Sequence, residues 1–349
     1  MLEALPGGRS TVRAERPGCL APSGRTVVVR PHCGGQLGTV VIRVCAENES
    51  LGLVVAGADG SWQSLRAVEA ATREAARRGL TLMLLTVAGA SRTTYGRESL
   101  GRLEDTTPAS ARAASARAVM AARATDPDVS VEVAVVTSPW EPELDRIIER
   151  THLLVLGDHG RGGQVAFSIG STSGDLARCF RRPILLPGVD TRPRELSSAR
   201  HPEVFVGLSG QGDETDLLRV AATEALVRGS SLGVIRAVPA AHPGERVLLA
   251  LVRAWQVVRS VPETAAVACH VDVAQDDPVT ALLARCEPDD LLVVGTRGGG
   301  TLAGLVTGSV ARGVLNGLPC DVVVVPRGAR VAPVATGRVP EPVLQSTEG

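Results

Sequence analysis

Lysine is absent from this chain, and all 37 of its Lys and Arg positions are arginine. That excludes a Walker A phosphate loop and any Schiff base formed by a lysine side chain. Aromatic residues make up only 2% of the chain. Its cores are therefore built from Val, Leu, Ile and Ala, stacking platforms for bases are scarce, and a bound adenine would have to lie between aliphatic side chains. The seven cysteines, at 19, 33, 45, 179, 269, 286 and 320, are odd in number and contain no Cys-x2-Cys pair or other tight zinc spacing. They read as reduced, mostly buried thiols, and no metal site is expected. Charge of one sign is missing too, because 37 acidic residues balance the arginines. Without a broad positive field a nucleic-acid partner is disfavoured. No run approaches the roughly eighteen apolar residues of a membrane span, and the N-terminus carries no hydrophobic signal core. A cytoplasmic protein without a membrane partner is the expectation.

What the chain does have is a repeated glycine pattern. The apolar run Leu153-Leu154-Val155-Leu156 has no polar face and reads as a buried parallel strand; it ends in Gly157-Asp158-His159-Gly160. Nine residues later come Gly170-Ser171-Thr172 and a segment of helical periodicity to Phe180. A strand, a glycine-rich turn and a helix outline a phosphate cradle, in which small residues admit the ligand to the backbone and the helix N-terminus offers free N–H groups. The pattern recurs as Leu291-Leu292-Val293-Val294-Gly295-Thr296-Arg297-Gly298, nine residues, Gly308-Ser309-Val310 and a helix to Leu315. Both copies read Gly-x2-Gly-x9-Gly-Ser, and both finish in a strand closed by proline, at Pro187 and Pro326. At 349 residues the chain is long enough for two domains, each with its own core.

This spacing resembles the ATP-binding signature of universal stress proteins, and the chain looks like a tandem member of that family. The resemblance extends to Val54-Val55-Ala56-Gly57-Ala58-Asp59-Gly60-Ser61 and to Val204-Phe205-Val206-Gly207-Leu208-Ser209-Gly210. It covers residues 51–190 and 203–328, with 1–46 an N-terminal extension or a misassigned start and 329–349 a disordered tail. Residues 1–46 are read as a flexible arm or an added strand if present, and as dispensable because no face in them completes the repeat.

Strands alternate with helices in both repeats, which argues for parallel α/β sheets covered on both faces. The second repeat reads as strand 204–208, helix 214–228, strand 232–238, helix 244–260, strand 265–273, helix 278–286 and strand 291–295. The resemblance implies two doubly wound domains of strand order 3-2-1-4-5, of the adenine nucleotide alpha-hydrolase-like fold. It also implies an internal pseudo-dimer docked through the last strands; a homodimer of whole chains is a further expectation. In such sheets a ligand lies at the carboxyl ends of the strands where the order reverses, which would bring Asp59 and Gly157 to one crevice.

By resemblance, Gly157, Gly160, Gly170 and Ser171 cradle phosphates together with the backbone of Leu156, Asp158 and His159. Asp59 bonds the adenine or ribose edge and Val87 packs near the base. Gly295, Thr296, Arg297, Gly298, Gly308 and Ser309 repeat the cradle, with Val294 presenting backbone as well. The bland readings are tight turns for the glycines, N-caps for the serines and a helix-capping turn for Asp59. Ser209 stands where the second aspartate would be, so the first site is expected to bind more tightly. The ligand expected is ATP with Mg carried on its phosphates, and the function a nucleotide-dependent stress-response module, with an unidentified protein as a further partner. No catalytic group is assigned, because positioning is provided without a general base. The alternatives are slow nucleotide hydrolysis or nucleotidyl transfer through His159 or Arg297, or a nucleotide-free interaction module.

Overall fold

The computed structural model describes residues 52–88, 107–137, 147, 149–157, 182–188, 200–210, 214–238, 244–296, 309–317 and 320–329, and the backbone of four strands before them. Those four are β1 (Ala4–Leu5), β2 (Arg9–Ser10), β3 (Val27–Arg30) and β4 (Val40–Val44). The first repeat contains β5 (Leu53–Gly57), α1 (Trp62–Arg78), β6 (Thr81–Ala88), α2 (Pro108–Thr125), β7 (Val131–Thr137), β8 (Thr151–Val155) and β9 (Ile184–Leu186). The second contains β10 (Val204–Leu208), α3 (Thr215–Arg228), β11 (Leu232–Ala237), α4 (Gly244–Ser260), β12 (Cys269–Ala274), α5 (Pro278–Leu283), β13 (Leu291–Gly295), α6 (Ser309–Gly317) and β14 (Asp321–Val325).

Both repeats have the expected strand order. β12-β11-β10-β13-β14 and β7-β6-β5-β8-β9 are each 3-2-1-4-5, parallel throughout. The central strands are apolar on both faces and wholly buried, as at Val54, Val55, Leu154 and Val293, because helices cover each side of a parallel sheet. The helices turn small residues to the sheet: Ala67, Val68, Ala71 and Ala75 of α1 and Ala221, Ala222 and Ala225 of α3 are buried. Both helices stop at a left-handed glycine, Gly79 and Gly229, each with φ 62°, whose amides bond back to the last turn.

Two boundaries differ from expectation. Residues 265–268 do not join the strand; Pro262–Ala266 is a 3-10 turn and β12 begins at Cys269. Pro262 starts that turn, and the Thr264 hydroxyl donates to the carbonyls of Val258 and Val261, which holds the backbone out of the sheet. α5 ends at Leu283, short of Cys286. In the first repeat, the helical pattern of residues 141–150 ahead of β8 and the helix from Gly170 to Phe180 fall largely or wholly outside the described residues.

The two five-stranded units join edge to edge. β14 pairs antiparallel with β9, setting Val322 opposite Leu186, Val323 opposite Leu185 and Val324 opposite Ile184, and these ten strands with β4 and β3 form one 12-stranded sheet. Near this junction Glu74 and Arg78, at the end of α1, meet their counterparts Glu224 and Arg228 at the end of α3. Arg78 Nη2 lies 2.6 Å from Glu224 Oε2, and Arg228 Nη2 lies 2.7 Å from Glu74 Oε1. Each arginine also pairs with the glutamate of its own helix. Both glutamates are buried.

At the far side of the first repeat, β4 adds antiparallel to β7 from Val40↔Val135 to Val44↔Val131, and β3 adds to β4. The expectation that residues 1–46 hold no face able to complete the repeat is corrected here: Val40–Val44, apolar at every position but Arg43, pairs along the β7 edge, and Arg43 takes the register position opposite the buried Glu132. A chain starting at Glu47 should therefore expose the β7 edge, melt at a lower temperature and aggregate faster than the full chain. Thermal melts with light scattering on the two chains check this, and identical curves would show the added strands to be idle.

Candidate functional site

At the point where strand order reverses, β5 lies beside β8 and β10 beside β13. In the second repeat the carboxyl ends of these strands open into a crevice of about 660 Å³. Gly207, Glu214, Gly295, Thr296, Ser309 and Val310 are among the residues that line it. Its base is aliphatic, with Ile235, Leu282 and Val294 supplying apolar walls. Ser309 is exposed at the start of α6 and Val310 is half-buried behind it. Gly295 and Ser309 are thus brought to one place, although β13 and α6 are separated by residues outside the described set.

The first repeat builds the same corner. Asp59 and Gly157 both sit at this end, and a Cβ on Gly157 would come within 2.9 Å of the Gln63 backbone in the first turn of α1. Gly295 has more room, its added Cβ meeting only the Leu217 side chain at 3.4 Å. Gly157→Ala should therefore cost about 1–3 kcal/mol through forced backbone movement, whereas Gly295→Ala should be nearly neutral. Urea unfolding of the two variants is the check, and equal costs would refute the tight corner in the first repeat.

Asp59 is engaged locally. Its Oδ1 accepts from the Ser61 amide at 2.8 Å and from the Ser61 hydroxyl at 2.6 Å, while Ser61 in turn caps α1 by accepting from the Ser64 amide. Gly60 follows with φ 80°, a conformation only glycine adopts without strain. The Ser64 hydroxyl then accepts from the Gly60 amide. The turn reading of Asp59 is thus satisfied in the structure, and this turn is what aims the residue at the crevice end of β5.

The second repeat solves the same turn with a different residue. Glu214, at the position of Ser64, reaches back so that its carboxylate accepts from the Ser209 hydroxyl at 2.8 Å and from the Gly210 amide at 3.1 Å, and from the Ser209 amide as well. It is 8% exposed and lines the crevice. Sequence reasoning missed it, taking this site to lack a carboxylate because Ser209 replaces Asp59. The available signal was an acidic residue at the end of a Ser-Gly turn, just before a helix. Arg236 likewise takes over from Thr86: the Thr86 hydroxyl donates to the Ala58 carbonyl at 2.7 Å and Arg236 donates to the Leu208 carbonyl at 3.3 Å.

Two amides of the expected cradle are committed to the sheet. Leu156 N–H donates to the Leu185 carbonyl and Thr296 N–H to the Val325 carbonyl, both at 3.0 Å. Leu156 is buried, and the Thr296 hydroxyl accepts from the Arg327 amide. Val87 occupies its expected place near the end of β6, in register with Val136. Asp158, His159, Gly160, Gly170, Ser171, Thr172, Arg297, Gly298 and Gly308 lie outside the described residues. Of the cysteines, Cys269, Cys286 and Cys320 are free thiols; Cys320 is buried and the other two are half-buried. Among the described residues no group of three or more His, Cys, Asp and Glu side chains is placed to hold a metal ion, and no helix is long and apolar enough to cross a membrane.

Two doubly wound parallel sheets, the second with a glycine-edged crevice at its switch point, define a tandem α/β protein of the type that receives ligands at strand carboxyl ends. The model of the universal stress protein family matches residues 52–186 and 203–326, and the chain belongs to that family. A universal stress protein of Mycobacterium bovis is 27% identical over 290 residues, covering 78% of this chain and 96% of the relative. One from Mycobacterium tuberculosis is 27% identical over 313 residues, covering 80% and 96%. The crystal structure of a universal stress protein from Archaeoglobus fulgidus superposes with a TM-score of 0.56 at 18% identity, covering 80% of this chain and all of that one, which supports the fold.

Proposed function

We propose that the protein is an adenine-nucleotide-binding regulatory module of the stress response, with ATP its ligand in each repeat and no fast chemistry. The observation that carries this reading is the crevice at the β10–β13 switch point, whose volume of about 660 Å³ falls within the ~300–1,000 Å³ of small-molecule sites. Aliphatic walls suit a base where no aromatic ring is at hand, while the glycines and the start of α6 suit phosphates. The phosphates would reach N–H groups beyond Gly157 and Gly295, since those of Leu156 and Thr296 are bonded within the sheet. Mg fits as an ion carried on the phosphate oxygens: Asp216 at the crevice wall is already paired with Arg219 at 2.7 Å, and Glu214 with backbone amides. The joined sheets act as an internal pseudo-dimer in a cytoplasmic protein, so nucleotide occupancy in either half reaches the other through β9 and β14.

Mass spectrometry of small molecules released from the purified, denatured protein tests the reading, together with calorimetric titration of the emptied full chain with ATP and Mg. Retention of an adenine nucleotide, or saturable binding on titration, is expected. A protein that carries no nucleotide and gives no heat with ATP would be an interaction module with empty crevices.

A further inference from the structure

The two outer edges of the ten repeat strands are treated differently. The β7 edge is covered by β4 and β3, whereas among the described residues nothing pairs with the outer side of β12. β12 carries one charge, Asp272, which pairs with Arg285 at 2.9 Å, but lacks the other devices that blunt an open edge. It runs six residues without proline, and its register against β11, from Leu232↔Cys269 to Ala237↔Ala274, is unbroken by a bulge. All six residues are partly or fully exposed, in contrast to the buried strands of the sheet interior.

The backbone polarity of this edge can be read directly. The carbonyls of Ala268 and Ala274 accept from Leu232 and Val238. Even-numbered residues thus direct their backbone groups to β11, and Cys269, Val271 and Val273 direct theirs outward. An antiparallel pairing of β12 with a second β12 therefore has to join odd residues to odd residues. Centred on Val271, it sets Val271 against Val271, Cys269 against Val273, and His270 against Asp272 on both sides of the dyad. The His–Asp positions are then the close, non-hydrogen-bonded pairs, with Cα atoms roughly 4.5 Å apart. A slip of two residues in one direction opposes His270 to His270, and in the other Asp272 to Asp272. Only the centred register sets each imidazole opposite a carboxylate.

A strand edge alone buries too little for a stable dimer, which takes about 1,200–2,000 Å². The remainder is at hand on α4, which packs on β11 and β12. Leu248, Leu249 and Val252 are 63%, 47% and 46% exposed there, the largest group of exposed apolar side chains among the described residues. The dyad of an antiparallel strand pair is perpendicular to the sheet, so both copies of α4 fall on one face. With strands ~4.8 Å apart, a helix seated over the β11–β12 pair lies about 5 Å from the dyad and about 10 Å from its mate, the spacing of packed helices.

We propose that two copies of this chain associate through antiparallel pairing of their β12 strands, centred on Val271 and supported by the apolar face of α4. Sedimentation velocity of the full chain at micromolar concentration should give twice the 36.2 kDa of one chain; a single-chain mass would overturn the proposal. Val271→Pro removes an N–H that points outward and leaves the β11 pairing alone. It should raise the dimer dissociation constant at least about tenfold with Tm measured on the monomer little changed. Leu248→Glu with Val252→Glu, on an exposed helix face, should do the same by a separate route. A dimer indifferent to both sets of changes uses another surface, and the proposal fails. The register is tested by a swap: His270→Asp should weaken the dimer, and adding Asp272→His should restore it. Weakening without recovery would overturn the centred register.

Discussion

Replacing Glu224 with glutamine should lower the stability of the full chain by about 3–5 kcal/mol, the cost of leaving buried charge without its partner. Glu224 holds Arg78 from the other repeat and Arg228 from its own helix, and its side chain is 6% exposed. Burial alone would raise its carboxyl, but the two guanidinium groups outweigh burial and hold it below the ordinary carboxylate range. The sign of the pH effect follows. A carboxylate whose folded pKa lies below its unfolded value contributes stability above the unfolded value, and that contribution is lost as pH falls through the folded one. Acid should therefore weaken the contact between α1 and α3 in the native chain. This part of the acid response should vanish in Glu224→Gln. Glu74→Gln should lose stability on the same scale, because Glu74 stands in the mirrored place between Arg228 and Arg78. Replacing all four residues by well-packed apolar ones should be neutral or stabilising. Urea unfolding reads the outcome, and a second transition in the glutamine variants would show that the repeats have come apart. A loss below about 1 kcal/mol in both variants would mean that water reaches the quartet and that it behaves as a surface network.

Strand order came from the family resemblance, whereas the parallel strands and the place of the second repeat's crevice were legible in the sequence itself, because a buried parallel strand is apolar on both faces and the spaced glycines mark its carboxyl end. Val204–Leu208, Gly244–Ser260 and Leu291–Gly295 have the expected bounds. The features that escaped depend on residues far apart in the chain or on side chains with more than one use. Glu74 and Arg78 recur as Glu224 and Arg228 just before the two helix-stopping glycines, but i,i+4 pairs on a helix end read as solvated charge. Only the β9–β14 junction shows that they face one another. β4 escaped because five residues in a Gly- and Pro-rich stretch carry little periodicity until β7 is there to pair with. Glu214 escaped because a carboxylate before a helix suggests a forward cap, whereas this one reaches back to Ser209 and Gly210.

On the proposed function, the first repeat should bind ATP about tenfold to a hundredfold more tightly than the second. Both repeats carry the same Gly-x2-Gly-x9-Gly-Ser spacing, so the difference is expected at the turn after the first strand. There the Asp59 carboxylate, which also accepts from the Ser61 amide and hydroxyl, is proposed to accept from the base or ribose as well, and a hydrogen bond to a charged group contributes about 1.5–3 kcal/mol, or one to two decades. In the second repeat the carboxylate belongs to Glu214 and is already taken by the amides of Ser209 and Gly210 and the Ser209 hydroxyl. What it adds to that crevice is fixed negative charge, which opposes an anionic ligand. Asp59→Ser should bring the first site down toward the second. Glu214→Ser, which installs the residue that the first repeat uses at Ser64, should strengthen the second site. Ser209→Asp alone should not, because it sets a second carboxylate against Glu214 and raises the cost of keeping both ionised. Calorimetry on the full chain should show two sites of unequal affinity, with the tighter one lost in Asp59→Ser. Equal affinities, or a stronger second site after Ser209→Asp, would mean that Asp59 serves only its turn and that the base is recognised by another part of the crevice.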